Sequence, residues 1–281
     1  VVSQPILSTR YEWRSDPTSF TDFPEFFLAH EIAHQWWGQA VGWKNYHEQW
    51  LSEGLAQYFA ALYAERLRGK AVFDGIVRRL QQWAVKKSSE GPVYLGYRIG
   101  HVKRDGQLFR AIIYNKSAAV LHMLRRLLGD DAFFRGLRRF YQEWRFRQAG
   151  SDDLRRALEA ESHRSLVRFF DRWIYDSRLP RLRFSWVTDR DGATDRETVL
   201  LRFEQIGDLF DVPVTVTLNY ANQSPVDIVV PVTDAVTEMQ IPLEGRLRSV
   251  DVNRDRAAVA TIDKRTSPRS PATGGSPPGA Q

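Results

Sequence analysis

The chain has 281 residues, 43% hydrophobic and 26% charged, the balance of a folded globular protein with one large domain or two ordinary ones. No apolar run reaches the about 18 residues that would span a bilayer, and the lack of cysteine excludes disulfides and thiolate ligands while leaving the compartment open, since a bacterial cytoplasm and a secreted setting fit equally. The net charge of +6 comes mainly from arginines set in pairs such as Arg78-Arg79, Arg125-Arg126, Arg138-Arg139 and Arg155-Arg156; with no recognition motif beside them they read as solvated helix faces, not a nucleic-acid surface.

In chain order, Val1-Val2-Ser3-Gln4-Pro5 has neither an initiator Met nor the pattern of a signal peptide, and reads as a truncation point or a processed end. Residues 6–13 look like a short strand. Asp22 with Glu25 three residues on resembles a cap and capping box, Pro24 is tolerated in a first turn, and the helix that follows stops near Gly38. After a loop over 41–50, a helix starting at Ser52 or a near neighbour carries Leu55, Tyr58, Phe59, Leu62 and Tyr63 at helical spacing and ends near Gly69. Further helices are expected at 70–88, 107–128, 131–147, 151–161 and 164–176, with a loop at 89–106. Beyond Pro180 the period changes to two: Leu182, Phe184 and Trp186 alternate, as do Val214, Val216, Leu218 and Tyr220 around Thr215 and Thr217. The division is therefore 1–180, mostly helical; 181–264, a small antiparallel β-sandwich; and 265–281, a Pro-, Gly- and Ser-rich disordered tail.

His30-Glu31-Ile32-Ala33-His34 carries the chemistry. Positions i and i+4 share a helix face, so both imidazoles can point at one ion, while Glu31 lies about a quarter turn round, in reach of a water but not of the ion. Eighteen residues, Gln35 to Ser52, separate His34 from Glu53, which can supply a third ligand from the first turn of its own helix. Three protein ligands with a fourth position open suit a catalytic rather than a structural site. Ligand type points to one Zn2+ per chain, with manganese or cobalt as substitutes in vitro.

The stretches His30 to Gly38 and Trp50-Leu51-Ser52-Glu53-Gly54-Leu55-Ala56 resemble the M1 family of zinc aminopeptidases, over roughly residues 1–262. The resemblance implies an α+β protein: a thermolysin-like, mostly helical catalytic domain followed by the β-sandwich. It implies His30, His34 and Glu53 as zinc ligands, Glu31 as general base and acid, and peptides as substrates cleaved at the N-terminal bond. In the family a tyrosine in a Tyr-x-Lys-Gly pattern stabilises the oxyanion; here Tyr114-Asn115-Lys116-Ser117 assigns that role to Tyr114, with Ser117 departing from the usual glycine. The family's amine-anchoring Gly-x-Met-Glu-Asn segment does not occur in this sequence, so an N-terminal β domain is expected to lie outside this chain. A monomer is expected.

Other residues carry smaller expectations. His47 either supports the site from behind or faces solvent; His101 either lines a cleft or sits in a solvated loop. His122 reads as core, His163 as a surface residue starting a helix, and Lys116 as structural or solvated. Of Trp36 and Trp37, one is expected in the core and the other against the site. Two rival functions remain: a gluzincin endopeptidase or a bifunctional enzyme like leukotriene A4 hydrolase, which blocking the substrate amine would distinguish, and an inert scaffold, which metal analysis would.

Overall fold

A computed structural model describes residues 23–190 and 197–265, without the side chains of residues 100, 101, 103 and 190. The expected strand at 6–13, the cap at Asp22, the His101 side chain and the tail from 266 onward lie outside the described residues. The first helix, α1 (Phe26–Ala33), buries Phe26, His30 and Ala33, one stripe at helical spacing. Its N-cap is Glu25, with no side-chain cap bond. A short strand β1 (Val41–Trp43) and a 3₁₀ turn at Tyr46–Glu48 then lead into α2 (Trp50–Arg68), α2 in turn giving way to α3 (Lys70–Lys87).

Helix α2 is the axis of the helical part. It is buried along Trp50, Leu51, Leu55, Tyr58 and the small residues Gly54, Ala56, Ala60, Ala61 and Ala64. Helices α1 and α3 both pack against it. Its entrance, read from sequence as a plain loop, is tied down: buried Glu48 accepts from the Ser151 backbone N–H at 2.9 Å and from its hydroxyl at 2.5 Å, and Trp50 Nε1 donates to the same hydroxyl at 2.9 Å. Burial pushes the Glu48 carboxyl up in pKa despite those two donors.

The expected loop at 89–106 is instead mostly helical: a turn at Val93–Leu95 followed by α4 (Gly96–Lys103). Gly96 there serves packing rather than a loop, since an added Cβ would meet Ile113 at 2.6 Å. The expected helix at 107–128 is interrupted. It runs as α5 (Gly106–Arg110), a wider π-helical turn at Ala111–Lys116, and α6 (Ser117–Leu128). Ser117 Oγ donates to the Ile112 carbonyl five residues back at 3.2 Å, giving an acceptor in the widened turn a partner. Next come α7 (Asp130–Trp144), β2 (Arg147–Ala149), parallel to β1, then α8 (Ser151–Ser162) and α9 (Val167–Trp173). His163 ends α8 in a left-handed conformation (φ 53°) rather than starting a helix.

Seven strands follow: β3 (Arg181–Arg190), β4 (Glu197–Gln205), β5 (Val212–Tyr220), β6 (Val226–Val232), β7 (Val236–Pro242), β8 (Leu247–Val252) and β9 (Thr261–Lys264). They form two sheets, β7-β4-β3-β9 and β6-β5-β8, completing the α+β architecture. Every pair is antiparallel except β3 with β9, because the chain crosses from the second sheet and returns beside β3 in the same direction. Phe184 faces Phe203 in register, ring centroids 4.8 Å apart. On β5 the alternation read from sequence does not leave one face in solvent: Thr215 and Thr217 are as buried as their valine neighbours. Helix α6 packs on that strand, with Arg126 and Asp255 closing over Thr215, whose hydroxyl donates to Asp255 at 2.6 Å. No helix among the described residues is long and apolar enough to cross a membrane.

Two predictions follow from the packing of α2. An added Cβ at Gly54 would meet Ser117 Cβ at 2.5 Å, whereas one at Gly75 on α3 meets nothing within 4 Å. Gly54→Ala should therefore lose about 1–3 kcal/mol in urea unfolding through overpacking, and Gly75→Ala should gain about 0.5–1 kcal/mol by removing a helix-interior glycine. Second, His122 is buried against Tyr58, whose hydroxyl lies 3.1 Å from Nδ1, and burial with the nearby Arg126, Arg125 and Lys70 charges pulls its pKa from 6.5 to about 3. The unfolded chain then binds the extra proton between those values, so His122 stabilises above pH 6.5 and that contribution drains away toward pH 3. Denaturation followed across that window should show a shallower acid slope in His122→Leu than in the parent.

Candidate metal centre

Helix α1 supplies two imidazoles from one face. His30 Nε2 and His34 Nε2 lie 3.1 Å apart, and Glu53 Oε2, from the first turn of α2, lies 3.3 Å from the first and 3.2 Å from the second. The helix N-terminus there favours a carboxylate. The two rings meet edge to face, with centroids 4.7 Å apart. Such a triangle of donor atoms fits a tetrahedral zinc site, in which bonds of about 2.0–2.1 Å set neighbouring ligand atoms about 3.3–3.4 Å apart. The donor set, two neutral nitrogens and one carboxylate oxygen, also suits that ion.

The lone pairs are aimed by what lies behind them. His34 Nδ1 sits 2.9 Å from the Trp37 carbonyl and 3.2 Å from Ser52 Oγ, and Ser52 donates to the same carbonyl at 3.1 Å. A carbonyl only accepts, so His34 carries a proton on Nδ1, and the proton that Nε2 shares with Glu53 is the one that would leave to free a lone pair for an ion. Gly38, read from sequence only as a helix stop, makes room for this: its φ is +110°, and an added Cβ would meet Ser52 Oγ at 2.3 Å. Sequence reasoning took Ser52 as a possible helix start and missed this contact; its place directly before Glu53 is the signal that could have found it.

Charge in the triangle follows from pairing against burial. Burial alone would raise the Glu53 carboxyl, but hydrogen bonds and charge from His30 and His34 carry it down to about 2. Burial pulls His34 down, and the Glu53 hydrogen bond and charge outweigh it, leaving its pKa raised. Glu31 is half-buried one position along α1, and its charge is felt at both His34 and Tyr114.

Tyr114 stands in the π-helical turn, its ring stacked on His30 with centroids 5.5 Å apart and planes within 13°. Burial, then the charge of Glu53 and a hydrogen bond to it, push the phenol well above its ordinary pKa, so it stays a protonated donor. Just beyond Glu53 the turn and the start of α6 are pinned to α2, by Gly54 against Ser117 and by Gln57 Nε2 donating to Asn115 Oδ1 at 3.0 Å. The structure thus brings His30, Glu31, His34, Glu53 and Tyr114 to one place.

The other residues fall elsewhere. His47 donates its Nδ1 proton to the Tyr94 carbonyl at 3.0 Å and stacks on the Tyr94 ring. Trp37 is in the core, stacked on Phe140, and Trp36 is 47% exposed. Lys116 is not solvated: it is 1% exposed, its Nζ has no hydrogen-bond partner among the described residues, and burial lowers its pKa to about 8.

A family model for the peptidase family M1 domain matches residues 24–173. The chain belongs to peptidase family M1. It is 27% identical over 196 residues to aminopeptidase N of Lactococcus lactis subsp. lactis, an alignment covering 68% of this chain and 23% of that protein. It is also 27% identical over 173 residues to tricorn protease-interacting factor F2 of Thermoplasma volcanium, covering 61% and 22%. This M1 chain therefore spans under a quarter of the length of these two curated relatives. Its fold resembles the crystal structure of Legionella pneumophila aminopeptidase A in complex with aspartic acid, with a TM-score of 0.66 and 20% identity, covering 90% of this chain and 29% of that one.

The contacts behind His34 generate a prediction. Ser52→Ala leaves all three donor atoms in place but frees the imidazole to turn, so the affinity for Zn2+, read by competition with a chromophoric chelator, should fall about 10- to 100-fold.

Proposed function

We propose that this M1 domain is the catalytic part of a zinc-dependent aminopeptidase that releases the N-terminal residue of peptides. The observation that carries the reading is the convergence of His30, His34 and Glu53 within 3.1–3.3 Å, with Glu31 and Tyr114 beside them. Family membership and the named activity of the relatives support it. On this reading residues 1–180 form the catalytic unit and 181–264 a supporting sandwich, and the chain acts as a monomer on peptide substrates.

His30, His34 and Glu53 would hold the zinc, which when bound supplies Lewis acidity to a carbonyl oxygen and acidifies water. Glu31 then works as the proton carrier. Its carboxylate accepts a proton from the attacking water and hands it to the departing amine nitrogen, so one group serves as base and then as acid. Tyr114 turns its hydroxyl from Glu53 to the oxygen that gains negative charge as the carbonyl carbon becomes tetrahedral. Its raised pKa suits that role, because a phenol that never ionises always has a proton to donate. The stacking of Tyr114 on His30 keeps this donor at the edge of the metal site.

The reading is tested with zinc-loaded protein on an alanyl or leucyl fluorogenic amide beside its N-acetylated twin. Cleavage of the free-amine substrate alone is expected; equal cleavage of both would mean an endopeptidase, and no cleavage of either would overturn the assignment. Glu31→Gln should abolish turnover while retaining stoichiometric zinc by mass spectrometry. Tyr114→Phe should lower kcat about 10²- to 10³-fold with little change in KM, the loss of one donor to the oxyanion.

A further inference from the structure

A cleft of about 420 Å³ lies between α3 and the side of the sandwich where the edge strands β8 and β9 come together, and it shares no residue with the metal centre. Its floor is apolar, made by Val85, Val252 and Ile262, and its rim is cationic, with Lys86 from α3, Arg256 from the loop after β8 and Lys264 from β9. No carboxylate lines it. Lys264 has a long contact to Asp251 at 3.5 Å. Asp263 alternates onto the opposite face of β9 from Ile262 and Lys264. Asp255, next to Arg256, is engaged by Thr215, Arg126 and the Ala257 N–H. Lys86 lies over the face of Trp83, at 5.5 Å, with no ion pair among the described residues.

Arg256 is held where it is. Its backbone is left-handed, with φ at 55°, and so is Asn253, at 52°. The loop is closed by Asn253 hydrogen-bonded through both side-chain atoms to the Ala258 backbone at 3.0 Å and by Arg256 N–H to the Asn253 carbonyl at 3.0 Å. Such a conformation is unfavourable for an arginine and persists only when its surroundings impose it. Here it presents a guanidinium, with no ion pair among the described residues, to the cationic rim of the cleft.

We propose that this cleft binds an extended acidic peptide segment. Three cations arriving from three separate elements suit several carboxylates spaced along a chain, not one compact oxyanion, whose charge would need the donors to converge. The apolar floor matches alternate side chains of such a segment, and the exposed amide of Gln82 at the rim can bond its backbone.

The probe is a fluorescein-labelled peptide of alternating glutamate and valine, acetylated and amidated so that it offers no free amine to the metal centre. Fluorescence polarisation should show saturable binding that weakens with salt, unaffected by EDTA. Lys86→Glu with Arg256→Glu should weaken it at least tenfold. Arg138→Glu with Arg145→Glu, the same change in net charge at an exposed position of α7 and at its C-cap, should shift it less than twofold; thermal melts check that both variants stay folded. Equal loss in the two double variants, equal binding of the glutamine-for-glutamate peptide, displacement by millimolar inorganic phosphate, or tighter cleft-dependent binding of a single-stranded oligonucleotide would each overturn the proposal.

Discussion

The contact on which the site depends is the close passage of α2 against the segment from Ala111 to Leu128. It is made possible by the absence of a side chain at Gly54, where an added Cβ would sit 2.5 Å from Ser117. Because α2 is buried on nearly all sides, its rotation and height are set by packing, and with them the position of Glu53. A carboxylate one turn higher or a quarter turn round would miss both histidines. The buried Glu48–Ser151–Trp50 bonds fix the other coordinate, where along its axis α2 begins.

The π-helical turn makes the second adjustment. One extra residue in a helix rotates everything beyond it and is a recurrent device at functional sites. Here it sets Tyr114 face to face with His30 while α6 continues in register with the core. Ser117 and the Gln57–Asn115 pair satisfy polar groups that the widened turn would otherwise leave bare. Two costs remain in the turn among the described residues: Asn115 Nδ2 is buried without a hydrogen-bond partner, and so is the Lys116 ammonium, whose pKa falls to about 8 because burial disfavours its charge.

Two kinds of buried polar group coexist in the helical part. His122, neutral and bonded to Tyr58, belongs to the core and keeps its proton off by burial. In the triangle, Glu53 is desolvated too, but two imidazoles outweigh that cost and hold it ionised. The same low-dielectric surroundings thus favour a neutral histidine in one place and a charged carboxylate in another, and the difference lies in the partners rather than in the depth.

Much was legible in the chain itself. The i, i+4 histidines define one helix face, the eighteen-residue spacing to Glu53 selects a family, and the change of period after Pro180 marks the strands. These are local signals, carried by neighbours in sequence and by helical or strand geometry that any context preserves. What tertiary structure alone decided is non-local. The turn that aims Tyr114, the burial of Thr215 under α6, the helix at 96–103 and the Ser52 hydroxyl behind His34 all depend on surfaces that meet from distant stretches of chain, 18 residues apart for Ser52 and His34 and 89 for Arg126 and Thr215. A glycine such as Gly38, Gly54 or Gly96 looks like a stop or a loop when read alone. It becomes a requirement only when the element that presses on it is known, because close packing is a property of pairs of surfaces and not of one.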